Sequence, residues 1–346
     1  MSQEGNKYFS YKKTRVMYLL SIFVFTIHLS TLSNYDLNGD SVGKIILCMD
    51  KALGSITCIA VASFFMISAI LFYRNYTYKS TKNKWKSRCK TLLVPYISWN
   101  CIWMIFNMIC SYTFISKFFV GRDKAIFDIV NIFQGIFLYK YNGPFWFIFD
   151  LLLFTILCPV IYTIVKNKYV GGISIICLIV LSGFNIQIIN SLFRTYDAFL
   201  CYIIGAYIGV HYFEYFKNKA SKKEVIVYFF ICLICFITRY YNIFMDNSMF
   251  EAINIVVYSL AFWKLLDLFN FNNTFRIEED SFLVYAMHVN VGAIITKLIY
   301  IILPNNSFYA AINYILTIVL SLIFIHFFMT LIKNYFPQMR KILCGR

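Results

Sequence analysis

The segment Lys12-Lys-Thr-Arg15-Val16-Met-Tyr-Leu-Leu-Ser-Ile-Phe-Val-Phe-Thr-Ile-His28-Leu-Ser-Thr-Leu-Ser33 decides the fold. Between Val16 and Ser33 the only ionisable group with a pKa near neutrality is the imidazole of His28, and three cations precede the run. An apolar run of this length, flanked by Lys and Arg, suits a helix crossing a hydrocarbon core of roughly 30 Å. A titratable ring inside it carries a solvation cost, and such residues face the bundle interior and mark a site. His28 is therefore the first candidate for chemistry.

The rest of the chain agrees with a membrane setting. Of 346 residues, 60% are hydrophobic and 14% charged, with a mean hydropathy of +0.67, so the apolar surface exceeds what one water-soluble core can enclose. The expected fold class is all-α, a polytopic bundle of about ten transmembrane helices. The spans read as 16–33, 54–73, 92–115, 144–165, 169–188, 196–213, 224–238, 249–269, 281–302 and 308–332. The apolar stretch 125–139 is punctuated by Asp128, Asn131 and Gln134, which predicts an interfacial or re-entrant segment instead of an eleventh crossing.

Basic residues supply an independent test of topology, because cytoplasmic loops concentrate Lys and Arg. With the N-terminus inside, the inner segments hold Lys7 to Arg15, Arg74 to Lys90, Lys166 and Lys168, Lys217 to Lys223, Lys264 and Arg276, and Lys333 to Arg346. That is 23 of the 32 basic residues. The outer loops hold Lys44, Lys51, Lys117, Arg122, Lys124, Lys140, Arg194 and Arg239, with Lys297 inside the ninth span. Both termini are predicted cytoplasmic, as short tails 1–15 and 333–346 on a single integral membrane domain.

The net charge of +16 is mostly this asymmetry. A nucleic-acid partner is a poor explanation, since the cations are split among short loops instead of forming one face. No cleavage site follows the first apolar run, so the first helix is expected to stay as an anchor. Eleven scattered cysteines, with Cys232 and Cys235 the lone C-x-x-C pair, argue for packing and against a metal site.

Several polar residues interrupt the apolar spans. Asn100, Asn107, Asn254 and Asn290 read first as interhelical hydrogen-bonding groups. Asp150, one helical turn after Trp146, needs a partner or a raised pKa in such a setting, which leaves a site role and a structural ion pair both open. His288 shares a helix face with Ser281 and Tyr285. His211 and His326 carry no motif around them. Seven cations and no acid lie between Arg74 and Lys90, a cluster able to hold anionic phosphates of a lipid or a nucleotide-containing donor, with Arg88 and Lys90 at the helix entrance.

Five segments in order resemble the acyltransferase 3 family, integral membrane acyltransferases that acylate sugars on surface glycans. They are Arg15 with His28; Ser63-Phe64-Phe65-Met-Ile-Ser68; Arg88 ahead of Pro95-Tyr96 and Trp99; Gly143-Pro-Phe-Trp146-Phe147 with Pro159 downstream; and Ser281-Phe282-Leu-Val-Tyr285-Ala-Met-His288. With Gly205, they span nearly the whole chain. Three positions depart from the family pattern: Met17 stands where its first arginine is usual, Thr91 where its second third-helix arginine is, and Ala69 where glycine is frequent.

The resemblance implies transfer of an acyl group, most often acetyl from cytosolic acetyl-coenzyme A, to a glycan hydroxyl handled at the outer face. The topology places the protein in a plasma membrane, and the abundance of Ile, Asn, Lys, Phe and Tyr suggests a bacterial one. Taken with the chemistry of these residue types, the expected roles are His28 as general base or transient acyl carrier, Arg15, Ser68, Arg88 and Lys90 for the donor, and Trp146, Asp150, Tyr285 and His288 for substrate or support. No metal is implied. Counting rise from Arg15 puts His28 roughly 20 Å along its helix, and counting from Ser281 puts His288 roughly 10 Å along its own. The expectation is that the two imidazoles sit at different depths and form no dyad. The alternative function is a polysaccharide exporter or flippase-like protein with the same bundle and no acyl transfer.

Overall fold

A computed structural model describes residues 3–113, 128–184 and 196–345, which fold into helices and turns with no strand among them. The loop cations Lys117, Arg122, Lys124 and Arg194, and the ends of the expected spans 92–115 and 169–188, lie outside the described residues. In chain order the helices are α1 (Gln3–Ile27), α2 (Ser41–Thr57), α3 (Ile59–Tyr73), α4 (Thr81–Arg88), α5 (Val94–Tyr112), α6 (Ile129–Phe137), α7 (Trp146–Ile156) and α8 (Cys158–Val165). They continue as α9 (Lys168–Ser182), α10 (Tyr196–His211), α11 (Phe213–Lys217), α12 (Lys222–Tyr240), α13 (Ser248–Leu265), α14 (Ser281–Ile302), α15 (Ser307–Tyr335) and α16 (Pro337–Cys344).

Each of the ten expected spans is helical over most of its described length. Among the described residues six helical stretches are long and apolar enough to cross a membrane: Gly5–Asn34, Ser41–Tyr73, Tyr78–Tyr112, Ser248–Leu268, Arg276–Ile302 and Ser307–Tyr335. The 144–165 segment is broken into two helices, α7 and α8, and Pro159 in the first turn of α8 lacks a backbone donor. α9 and α10 are shorter apolar helices. α6, nine residues long, reaches about 14 Å and is too short to cross. Asp128 caps it by accepting from the Asn131 amide at 2.6 Å, and that bond holds its carboxyl below the usual carboxylate range.

Two compact units divide the chain. The first comprises residues 1–27, 47–81 and 156–281. Its centre is α3, apolar on nearly all sides and buried along most of its length. α10 lies directly on α3 because Gly205 and Gly209 carry no side chain. A Cβ at these positions would fall 2.5 Å from the Met66 carbonyl oxygen and 2.7 Å from that of Ile70. α12 and α13 are tied by Arg239, which donates to Asn254 Oδ1 at 2.7 Å, while Asn254 Nδ2 donates to Thr238 at 2.9 Å. Asn254 is thus the interhelical bonding group its sequence context implied.

One end of this unit is ionic. Asp267 accepts from Lys12 Nζ at 2.7 Å, from the Tyr8 hydroxyl at 2.6 Å and from the Ala220 amide at 3.0 Å. The Lys12 and Asp267 side chains are 1% and 0% exposed, and the Lys12 ammonium lies 4.3 Å from the centroid of the Trp263 ring. Arg15 Nε meets Glu278 Oε1 at 2.5 Å. The expected N-terminal tail is therefore helix from Gln3 onward, because the acids at 267 and 278 satisfy its cations and let the helix run through them.

The second unit comprises residues 28–46, 82–155 and 282–346. α5 is its hub. Trp99 Nε1 donates to the Leu343 carbonyl at 2.9 Å, Trp103 Nε1 to that of Ala286 at 2.9 Å, and Asn100 Nδ2 to that of Ile136 at 3.0 Å. The expected C-terminal tail is also folded: α16 buries Leu343 and Cys344. Gly345 follows at φ 67°, where a Cβ would stand 2.6 Å from Thr91 Cα and its carbonyl oxygen.

Candidate active site

α1 ends at Ile27, so His28 occupies the turn beyond the helix instead of an interior position. Its ring lies 5.3 Å from that of His288, centroid to centroid, at an angle of 44°. The pair corrects the expectation of two imidazoles at different depths. Ser21 Oγ lies 3.0 Å from the Ser281 carbonyl oxygen, and each histidine follows its own serine by seven residues. The two segments run in register from that point, so Ser281 is level with Ser21 and not with Arg15.

The two rings differ in access. His28 is exposed, whereas His288 is 1% exposed. His288 Nδ1 lies 2.6 Å from the Tyr285 carbonyl oxygen, which can only accept. Nδ1 therefore carries a proton, and in the neutral ring Nε2 presents its lone pair. A buried imidazole with its tautomer set by the backbone stands beside an exposed one.

Tyr285 is the platform under this arrangement. Its hydroxyl donates to the Pro144 carbonyl, and Phe145 stacks on its ring at 5.6 Å and 6°. Phe147 approaches edge-on at 5.7 Å, and the His288 ring lies 5.9 Å away. Three of the segments singled out in the sequence thus meet in this unit: the one bearing His28, the Gly143 to Phe147 stretch, and the one from Ser281 to His288.

Trp146 is half-buried at the start of α7, and Asp150, one turn later, is 3% exposed. Arg88 ends α4 half-buried, and Lys90 is exposed in the π-turn Cys89–Leu93. That basic segment is anchored by Trp85 Nε1, which donates to the Thr155 carbonyl at the end of α7 at 2.8 Å. All four belong to the second unit, with His28, Tyr285 and His288. Ser68 and Arg15 belong to the first, and the Arg15 guanidinium is engaged by Glu278 and the Asn273 carbonyl at 3.2 Å. His211 donates from Nε2 to the Val165 carbonyl at 2.8 Å, a helix-end contact.

One polar chain escaped the sequence reading. Thr31 and Thr296 hydroxyls lie 2.9 Å apart, Thr296 and Thr317 3.1 Å apart, and Thr317 donates to Asn313 Oδ1 at 3.0 Å. Asn313 Nδ2 completes it by donating to the Tyr35 hydroxyl at 3.0 Å. Because the Asn313 carbonyl oxygen must accept, every hydroxyl in the run has a fixed direction, from Thr31 toward Asn313. The chain pins the segment just after His28 to α14 and α15. Its one sequence signal is the four-residue spacing of Asn313, Thr317 and Ser321, all buried on one face of α15.

A multi-pass helical protein with a paired histidine site is the class these features define. The family model for an acyltransferase domain, that of acyltransferase 3, matches residues 18–329, and the chain belongs to this family. Neither a curated protein nor a solved structure gives a significant match to the chain. Among the described residues no group of three or more His, Cys, Asp or Glu side chains is placed to hold a metal ion.

Proposed function

We propose that the protein moves an acyl group, acetyl in the simplest case, from acyl-coenzyme A to a hydroxyl of a cell-surface or cell-wall glycan. The observation that carries this reading is the juxtaposition of exposed His28 with buried His288 inside an acyltransferase domain. An alcohol is a poor nucleophile at neutral pH, and an imidazole at hydrogen-bond reach can take its proton as the oxygen attacks the thioester carbonyl. The C–S bond then breaks, the acyl group stays on the glycan oxygen, and the coenzyme leaves as its thiol with that proton. His28 is the group that meets the reactants. His288, sealed from them, acts through His28 by orienting its ring.

Arg88 and Lys90 are the donor's phosphate contacts in this reading, since a coenzyme with several phosphates needs cations in reach. Arg15 is a weaker donor contact, because Glu278 already occupies it. Trp146, Asp150 and Tyr285 support the acceptor side. Ten crossings with both termini cytoplasmic, in a bacterial plasma membrane, complete the proposal, and the concentration of cations on alternate loops supports that orientation.

The test is direct. Purified protein in lipid vesicles, given labelled acetyl-coenzyme A and a membrane glycan extract, should label the glycan, and His28→Ala should abolish the label. Equal labelling by both proteins would overturn the role of His28. Absence of labelling by the folded wild-type protein would favour the exporter reading.

A further inference from the structure

The first unit contains a cavity of about 330 Å³, within the range of ligand-sized sites. Ile208, Ile231, Val257 and Leu260 supply apolar wall, and Tyr228 and Trp263 add aromatic surface. Val257 is 40% exposed and Tyr215 at the rim is 53% exposed, so the cavity opens outward.

One wall carries a buried cation. Lys264 is 5% exposed, and its ammonium donates to the Tyr215 and Asn218 carbonyls at 2.5 and 2.8 Å. Among the described residues no carboxylate lies within 4.0 Å of it. Lys264 thereby fixes the turn that presents Lys219, and Lys222 and Lys223 follow at the exposed start of α12. The acids nearby are Glu214, which pairs with Lys217 at 3.5 Å, and Glu224, which caps α12 by accepting from the Ser221 amide at 2.7 Å, so lysines outnumber acids four to two between Glu214 and Glu224. A few residues along α12, Ile226, Phe229, Phe230 and Leu233 stand exposed. Lys222 and Lys223 thus begin a helix whose next turns expose apolar side chains, and Lys219 stands just ahead of it with its ammonium donating to Asn270 Oδ1 at 2.5 Å.

We propose that this cavity seats an acyl chain of an anionic phospholipid whose phosphate is held by Lys219, Lys222 and Lys223. The amphiphile matches both halves of the feature, an apolar wall and an end with an excess of positive charge. Its polar–apolar boundary falls at the tyrosines, where amphipathic rings sit in membrane proteins. The site is independent of the acyl-transfer reading, so either can fail alone.

Trp263 is a built-in reporter. Full-length protein is reconstituted in phosphatidylcholine vesicles in which either phosphatidylglycerol or phosphatidylcholine is brominated on its acyl chains. The quenching lost on Trp263→Phe isolates the Trp263 signal. Brominated phosphatidylglycerol should quench it about fivefold more effectively than brominated phosphatidylcholine. The preference should vanish in the triple variant Lys219→Gln, Lys222→Gln, Lys223→Gln, and quenching by both lipids should fall in Val257→Phe, which fills the mouth. If Trp263→Phe does not fold, native mass spectrometry decides: wild type should retain one phosphatidylglycerol that Val257→Phe loses. Equal quenching by the two lipids overturns the proposal, as does quenching unaffected by Val257→Phe, or relief of quenching by added acyl-coenzyme A.

Discussion

Two clusters of titratable side chains, Lys12 with Asp267 in the first unit and His28 with His288 in the second, handle burial in opposite ways. Lys12 and Asp267 are both sealed, and the carboxylate accepts three hydrogen bonds from Lys12, Tyr8 and the Ala220 amide. Every group there has its partner inside the protein, and nothing is left to offer a substrate. The histidine pair is sealed on one side only: His288 is committed to the Tyr285 carbonyl, while His28 stays accessible. A buried charge that is fully compensated serves the fold, whereas a titratable ring supported from behind and open in front can serve a reaction.

Substitutions can break this contrast. His28→Ala should lower acyl transfer by about 10²- to 10⁴-fold, yet leave the unfolding temperature near that of wild type, because the residue is exposed. A large stability loss would place His28 with the structural cluster instead. Asp267→Ala should do the converse. Leaving Lys12 buried and unpaired costs about 3–5 kcal/mol, visible as a lowered unfolding temperature in detergent. The paired change Lys12→Met with Asp267→Leu should recover most of that loss.

His288→Gln tests the hinge of the comparison. A residue acting through His28 should lower kcat about tenfold with KM unchanged and should move the pH profile of the reaction. A residue that merely packs would lower the unfolding temperature and leave the profile in place. The smallest effect belongs to Tyr285→Phe, which removes the hydrogen bond to Pro144 while keeping the stack on Phe145. Its expected cost is about 0.5–1.5 kcal/mol by thermal unfolding, with a modest fall in kcat as the His288 support loosens.

Much of the helical content was legible because hydropathy and periodicity are local properties of the chain. α14 spans Ser281–Ile302, as read. Where the reading stopped short, the missing partner was far away in sequence. The run Lys12 to Arg15 looked like a polar flank, and the acids that turn it into helix interior lie more than 250 residues later, at 267 and 278. The C-terminal segment after Lys333 looked like a tail, and its docking depends on the Trp99 indole finding the Leu343 carbonyl. The individual residues His28, Tyr285 and His288 were all visible as candidates. Their pairing was not, because depth was counted from Arg15 and Ser281 as if these marked one level.

The amino-acid sequence by itself determined that this is a helical, membrane-directed chain of the acyltransferase 3 type, since apolar run length, flanking cations and ordered motifs are written residue by residue. Only the tertiary structure decided which titratable groups neutralise one another and which remain available. That distinction rests on a hydrogen bond between Ser21 and Ser281 that sets the register of two distant segments, and on carboxylates that reach back across the chain. No local pattern can encode either.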